Sequence, residues 1–388
     1  MTTTTESNKV PYWHLSSFYF FYFAVYAVIA PYWSLYLKGL NFDAEFIGLL
    51  TAILTGTRII APNISGGIAD RSGRRVLVVQ WGGFLGFFFA LGLFVAEAFY
   101  WMALVIAGFS FFWNATLSQF EVITLSYLKS DRDRYSRVRL WGSVGFILTV
   151  LGMGMLLDRV SILNLPWVLV GLLLLLWLSS LGYQEQGSLP KVVESSTFLT
   201  TLKQPHVIAL LLVVFLVQVS HAPYYVFYSI YLEEHGYSRT LIGILWSMGV
   251  VAEVGIFMVM HRLFRLFSLR KLIIISLTLM ALRWWMISQF VDSLPLLFLA
   301  QAGHAFSFGV IHSCTIELIH RMFSTRDAGK GQASYNSVSF GAGAAVGAVI
   351  SGYVWSGLGA EMTYLVGMSA AILAVVIALV GCRGRVYQ

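Results

Sequence analysis

The sequence predicts an all-α membrane protein with twelve transmembrane helices in two pseudo-symmetric six-helix bundles. Two observations carry that prediction. Of 388 residues, 58% are hydrophobic and only 11% are charged, with a mean hydropathy of +0.77, whereas a soluble domain has roughly 25% charged residues. The chain also matches itself at an offset of 195 residues. Trp33-Ser34-Leu35-Tyr36-Leu37 falls on Tyr228-Ser229-Ile230-Tyr231-Leu232, and Ile47-Gly48-Leu49-Leu50 falls on Ile242-Gly243-Ile244-Leu245. Lipid offers the backbone no water, so only helices or closed barrels can span it. Continuous apolar runs near 20 residues mean helices, because barrel strands are about ten residues long and alternate.

The first half supplies spans at 13–37, 45–66, 76–96, 99–127, 139–157 and 166–183. Span one carries an aromatic run, Phe18 to Phe23 with Tyr26, that goes right round the helix, so most of it packs or faces lipid and one or two rings line a cavity. Span two holds Arg58 at mid-depth, span four holds Asn114, Gln119 and Glu121, and span five opens on Arg137 and Arg139. Residues 184–205, with Gln184, Gly187, Ser188 and Pro190, form the longest interior connection and read as the linker between halves. The expected domains are therefore 1–183, 184–205 and 206–388.

The second half supplies spans at 206–232, 240–260, 271–290, 295–319, 333–355 and 362–382. Span seven offers Gln218 and His221 one turn apart before a break at Pro223, span eight holds Glu253, and span nine holds Arg283. In span ten, His304, Phe308 and His312 recur every four residues and share one stripe. Ionisable groups at mid-membrane cost on the order of 2.5–3.5 kcal/mol each on insertion scales, so they are functional candidates. Arg58 shifted by 195 becomes Glu253, which gives each half a charge at the same repeat position. Glu253 and Arg283 lie too deep to reach the surface, and a mutual pair, or a pair through His304, is the cheapest arrangement, whether structural or functional. Glu121, Arg137, Arg139 and Glu317 lie near inner span ends, where they can also snorkel to headgroups. His221 and His312 fit a neutral packing role equally well.

Orientation follows from the basic residues. With the N-terminus inside, twenty of the 25 Lys and Arg fall on inner segments and three (Lys38, Arg159 and Arg239) on outer ones, with Arg58 and Arg283 within spans. That bias puts both termini in the cytoplasm of a bacterial-type inner membrane. The net charge of +7 then belongs to short loops facing anionic lipid. No loop is long enough for a nucleic-acid-binding domain. Two cysteines, Cys314 and Cys382, make no disulfide framework and no metal site, and no cofactor is expected. No metal-spaced His/Asp group, nucleophile elbow or phosphate loop points to an enzyme, and the termini are too short for a sensor's signalling domain. In a membrane chain, a parallel repeat marks carriers whose halves rock around a central site. The sequence therefore reads as a monomeric carrier of a small molecule.

Between spans two and three, Gly66-Gly67-Ile68-Ala69-Asp70-Arg71-Ser72-Gly73-Arg74-Arg75 resembles the G-x-x-x-D-R-x-G-R-R signature of the major facilitator superfamily. Its chemistry suits a conformational latch. Gly66 and Gly73 allow a tight turn and close helix approach. Asp70 can cap or pair with a neighbouring helix end, while Arg71, Arg74 and Arg75 hold the inner surface. The equivalent second-half loop, His261 to Lys271, keeps Arg270 but loses the Asp and both glycines, so an asymmetric latch is expected.

Further segments resemble the phenylpropionate permease group of that superfamily: Arg137-Val138-Arg139-Leu140-Trp141-Gly142-Ser143-Val144-Gly145, His221-Ala222 with Tyr224-Tyr225, Gly236-Tyr237-Ser238, and Leu245-Trp246-Ser247 through Val254. More distantly the chain is similar to lactose-permease-type proton symporters. That likeness implies substrate contact at Glu121 and Arg139 and proton coupling through Arg283 and His304; Asn114, Gln119, Gln218 and His221, polar groups within the spans, are further substrate-binding candidates. Two positions depart from the symporter pattern: Ser307 stands where it has a helix-ten Glu, and Val250 where it has a helix-eight Glu, with Glu253 one turn on. The expectation is alternating-access import of a small organic acid, such as an aromatic acid, with a proton carried by Glu253. The alternative is a sugar or nucleoside proton symporter.

Overall fold

Every run long and apolar enough to cross a bilayer is helical in the computed structural model, which describes residues 11–128, 132–185 and 198–387. The first six helices are α1 (Tyr12–Gly39), α2 (Ala44–Ser72), α3 (Arg75–Ala90, extended by a 3₁₀ turn), α4 (Phe99–Leu128), α5 (Arg132–Leu157) and α6 (Leu165–Ser180). The second six begin with α7 (Pro205–Glu234), α8 (Arg239–Leu266), α9 (Leu269–Gln289) and α10 (Leu294–Met322). The last helical stretch, Ala328–Gly381, is two spans, because Gly359 breaks it with φ 85°. A left-handed residue cannot continue a right-handed helix, so the chain reverses there into α11 (328–358) and α12 (360–381). No strand occurs among the described residues. Most of the expected linker, residues 186–197, lies outside the described residues.

Lipid is as apolar as leucine, so helices in a membrane associate through close packing at small residues rather than through hydrophobic burial. Gly145 of α5 shows this: a Cβ there would lie 2.4 Å from the Phe20 carbonyl oxygen of α1. Gly347 of α11 meets Val219 of α7 in the same way, with its hypothetical Cβ 2.8 Å from the Val219 Cα. The resulting bundles are α1–α6 and α7–α12. Their first helices, α1 and α7, are the most enclosed, with 78% and 72% of their apolar windows buried against 28–50% elsewhere. The outer surface shows large apolar side chains such as Trp81, Phe88, Leu148, Met258 and Val380, as a lipid-facing wall requires.

One expected boundary shifts. The Gly66-to-Arg75 segment is mostly helix, because α2 continues through Ser72 and only Gly73 and Arg74 separate it from α3; Gly73 turns at φ 68°, with its N–H on the Ala69 carbonyl. Helix α3 starts immediately after, and its first free amides, Val76 and Leu77, donate to the Glu185 carboxylate at 2.6 and 3.4 Å. A carboxylate there complements the positive end of the helix dipole.

Candidate functional site

Between the bundles lies a cavity of about 2160 Å³, walled by α1, α2, α4, α5, α7, α8, α10 and α11. Ordinary ligand pockets are roughly 300–1,000 Å³, so this is a vestibule with a site inside it. Its closed end lies near Trp33 and Thr51; its mouth lies between Asp70, Arg71 and Arg75 on one lip and Arg326, Lys330 and Ala333 on the other. The cavity therefore opens on the Asp70 face.

The opposite face is shut by contacts between the bundles. Gly48 of α2 packs on Ala348 and Gly352 of α11, and Gly243 of α8 packs on Val150 and Tyr32. Lys38 pairs with Glu234 at 2.7 Å. At the end of α5, Asp158 accepts from the Arg239 and Thr240 amides at 2.8 and 3.0 Å and so caps α8.

Inside, the first bundle presents aromatic rings and arginines, among them Arg58 and Arg139. Tyr22 stacks on Trp113 with centroids 4.9 Å apart, and Tyr26 lies 6.3 Å from Trp113 and 6.0 Å from Phe146. The Arg58 guanidinium lies 5.5 Å from the Tyr26 centroid, and that of Arg139 lies 4.1 Å from the Phe23 centroid. Sequence reading allowed one or two rings of α1 into a cavity. Three do so, Tyr22, Phe23 and Tyr26, while Phe18 and Tyr19 are buried against Phe120.

The second bundle presents a chain of polar groups. Helices α8 and α10 approach closely at two glycines. A Cβ on Gly249 would lie 3.5 Å from His304 Cδ2, and one on Gly309 would lie 2.8 Å from Ile256 Cγ2 and 3.4 Å from Glu253 Cγ. That approach sets Glu253 Oε2 3.9 Å from His304 Nε2. His304 Nδ1 in turn is 3.2 Å from Arg283 Nη1. Arginine only donates, so Nδ1 accepts, and a neutral His304 carries its proton on Nε2, toward Glu253. Arg283 also donates to the Ala300 carbonyl at 2.8 Å, Ser307 Oγ at 3.3 Å and Gln301 Oε1 at 3.3 Å, sandwiched by Tyr224 and Trp284. Glu253 and Arg283 thus associate through His304 rather than directly. Ser307 binds Arg283 within a π-helical segment, Ala305–Val310. Such segments shift the helix register and recur at functional sites.

The remaining expected residues divide. Glu121 and Arg139 both line the cavity and form no ion pair with each other. Asn114 and Gln119 line it too, yet their amides are engaged: Asn114 donates to Thr57 Oγ1 at 2.9 Å, and Gln119 accepts from Arg75. Gln218 lines the wall without such ties. His221 does not. It is fully buried, its Nδ1 2.8 Å from the Val217 carbonyl and its ring edge-on to Trp284, which removes it from direct substrate contact in this conformation. His304, Phe308 and His312 form the expected stripe, with successive centroids 5.5 and 5.8 Å apart.

At the mouth, Arg75 binds both Asp70 and Gln119. Gly66 has Gln119 as its nearest neighbour, Arg71 and Gly73 line the lip, and the Arg74 amide donates to Ser72 Oγ at 3.2 Å. Sequence reading missed Trp113, Tyr225 and Trp246 as cavity walls and missed the Asp158 cap altogether.

Comparison with known proteins accords with this architecture. The chain is 32% identical over 362 residues to the Escherichia coli (strain K12) protein named "Probable 3-phenylpropionic acid transporter", covering 91% of this chain and 93% of that one. It is 24% identical over 247 residues to "Uncharacterized transporter YwbF" of Bacillus subtilis (strain 168), covering 62% and 61%. Among solved structures, the nucleoside transporter NupG superposes with a TM-score of 0.84 at 17% identity, over 96% of this chain and 99% of that one. A bacterial homologue of the human lysosomal transporter Spinster, in an inward-facing conformation, gives 0.69 at 15% identity over 96% of each. These two show the fold. The model of the MFS_1 like family matches residues 12–366, and the chain belongs to that family as a multi-pass membrane transporter of the major facilitator fold.

Proposed function

We propose that this transporter imports an aromatic monocarboxylate, of which 3-phenylpropionate is the type, together with a proton across a bacterial inner membrane. It works as a monomer by alternating access. The bodies that move are residues 1–183 and 206–388, joined by 184–205, and the Asp70 face with both termini is cytoplasmic. The observation that carries the reading is the Glu253–His304–Arg283 chain beside an aromatic-walled cavity. A carboxylate next to a histidine whose free N–H points at it can take up and release a proton as the bundles move. Aromatic faces and cavity-facing guanidinium groups suit a ring with an anionic end. The relative's name supports the same cargo.

Glu121 and Arg139 on one wall favour a second reading, a sugar or nucleoside symporter. Counterflow in proteoliposomes, with a panel of labelled aryl acids, sugars and nucleosides, separates the two. The aryl acid should exchange and accumulate with an inward proton gradient. Exchange of sugar or nucleoside alone would replace the first reading with the second.

A further inference from the structure

We propose that Arg58, rather than the Glu121 and Arg139 pair, anchors the cargo's carboxylate. The inference rests on the reading of the chain as a carrier of an aryl acid.

Arg58 lies at the midpoint of α2, on the cavity wall. Arginine keeps its charge in any protein environment, and a mid-membrane cation is costly unless something answers it. Within the protein, the Tyr26 ring answers it only through its π face, at 5.5 Å. Among the described residues, no carboxylate lies within ion-pair reach of Arg58 and none of its donors makes a hydrogen bond. The contact with Tyr26 is thus all that the described part of the protein offers this side chain.

The other deep arginine is fully employed. Arg283 spends its donors on Ala300, Gln301, His304 and Ser307 behind the cavity wall. Arg139 lies only two turns from the start of α5, covered by the Phe23 and Tyr19 rings, with Glu121 on the same wall. A carboxylate approaching Arg139 would meet that acid's repulsion, whereas no carboxylate among the described residues lies within ion-pair reach of Arg58. Arg58 therefore offers five unused donors in the planar fork that matches a carboxylate, beside Tyr26, whose ring stacks 6.3 Å from Trp113 and would help to hold the attached ring.

The repeat adds an independent argument. Arg58 and Glu253 occupy the same position in the two halves and face one cavity from opposite sides. A carboxylate on Arg58 neutralises one charge and a proton on Glu253 neutralises the other. Loading both leaves the net charge of the pair unchanged, which suits a carrier that moves an acid as anion plus proton.

The test is equilibrium binding to the purified full-length protein in detergent, with 3-phenylpropionate and its neutral primary amide as probes. Wild type should bind the acid about 10- to 100-fold more tightly than the amide, the worth of a charge-assisted bidentate contact. In R58Q the acid should fall to the amide's affinity while amide binding stays within about threefold, which also reports that the site is intact. R58K, keeping the charge without the fork, should fall between. R139Q should keep the preference for the acid. An R58Q protein that still prefers the acid, or one that loses acid and amide alike, overturns the assignment of Arg58 and leaves the aryl-acid reading standing. A wild-type protein that binds neither probe overturns that reading, and Arg58's role with it.

Discussion

Gly48 and Gly243 stand 195 residues apart, at the same position of the two repeats, and each seals one side of the face opposite Asp70. A Cβ on Gly48 would lie 2.6 Å from the Ala348 carbonyl oxygen and 2.9 Å from the Gly352 Cα. One on Gly243 would lie 2.7 Å from Tyr32 Oη and 2.9 Å from the Val150 carbonyl oxygen. Both contacts cross between bundles, so the glycines are needed only while that face is shut. Gly48→Trp and Gly243→Trp should each shift the population toward a state open on that face. The readout is alkylation of Thr51→Cys by an impermeant thiol reagent, since Cys314 and Cys382 are buried. A rise of about tenfold corresponds to about 1.4 kcal/mol of shifted equilibrium. An unchanged rate would mean that the bundles part elsewhere.

Asp158 closes the same face by a different force, and its pH behaviour can be told apart from coupling. Burial acts to raise its carboxyl, but hydrogen bonds from Thr240 and Arg239 and the Arg239 charge outweigh that and hold it below its usual 3.8. A carboxylate lowered by a contact supports that contact at every pH above its ordinary value and releases it only as pH falls through the lowered one. The closure should therefore be insensitive to pH between about 5 and 8. Asp158→Asn should speed opening of that face at pH 7, measured by the same alkylation, and leave the shape of the pH–uptake curve unaltered. A curve displaced along the pH axis would put Asp158 in the proton path.

The latch at the mouth should act on rate. In this conformation Asp70 binds Arg75 within its own bundle, and the facing lip, with Arg326 in the turn before α11 and Lys330 in its first turn, stands across the opening. If Asp70 acts as a latch, closure of the mouth should bring that lip to it. Asp70→Asn removes the charge that would meet it, so turnover should drop about tenfold or more while the equilibrium affinity for 3-phenylpropionate stays within about threefold. Unchanged turnover with lost binding would place Asp70 in the site instead.

The spans were legible because lipid imposes a length and a composition that few other constraints disturb. Even the reversal at Gly359 falls in the expected gap between 355 and 362. The end of α2 was less legible. Gly66 and Gly67 look like turn residues, yet in a membrane bundle glycine more often serves close helix approach, and the helix runs on to Gly73. The stripe of His304, Phe308 and His312 followed from helical period alone. Its neighbour Ser307 could be read only as a departure from a symporter pattern, because the π-helical segment that turns it onto Arg283 leaves the apolar pattern intact. The cavity rings were invisible for a related reason: α1 is apolar on every side, so no periodicity says which of Tyr19, Tyr22 and Tyr26 faces inward. The Asp158 cap joins residues 81 and 82 positions apart across the two halves, and no local signal announces it.

Glu253 carries the most consequential prediction, because glutamine there mimics the protonated acid. Glu253→Gln keeps the side chain's shape beside His304 and removes the ability to release a proton. Uphill accumulation of 3-phenylpropionate driven by a proton gradient should vanish, while counterflow, which needs no net proton movement, should persist within about threefold of wild type. Accumulation against a gradient by this variant would make Glu253 structural and send the coupling proton elsewhere. The wild type offers a companion measurement. One net charge crossing 100 mV gains about 2.3 kcal/mol, nearly a fiftyfold change in accumulation. If one carboxylate loads with one proton, no net charge crosses, and imposing such a potential with valinomycin and potassium should leave accumulation unchanged. A large response to potential at constant proton gradient would require a second proton, and Glu253 alone could not carry it.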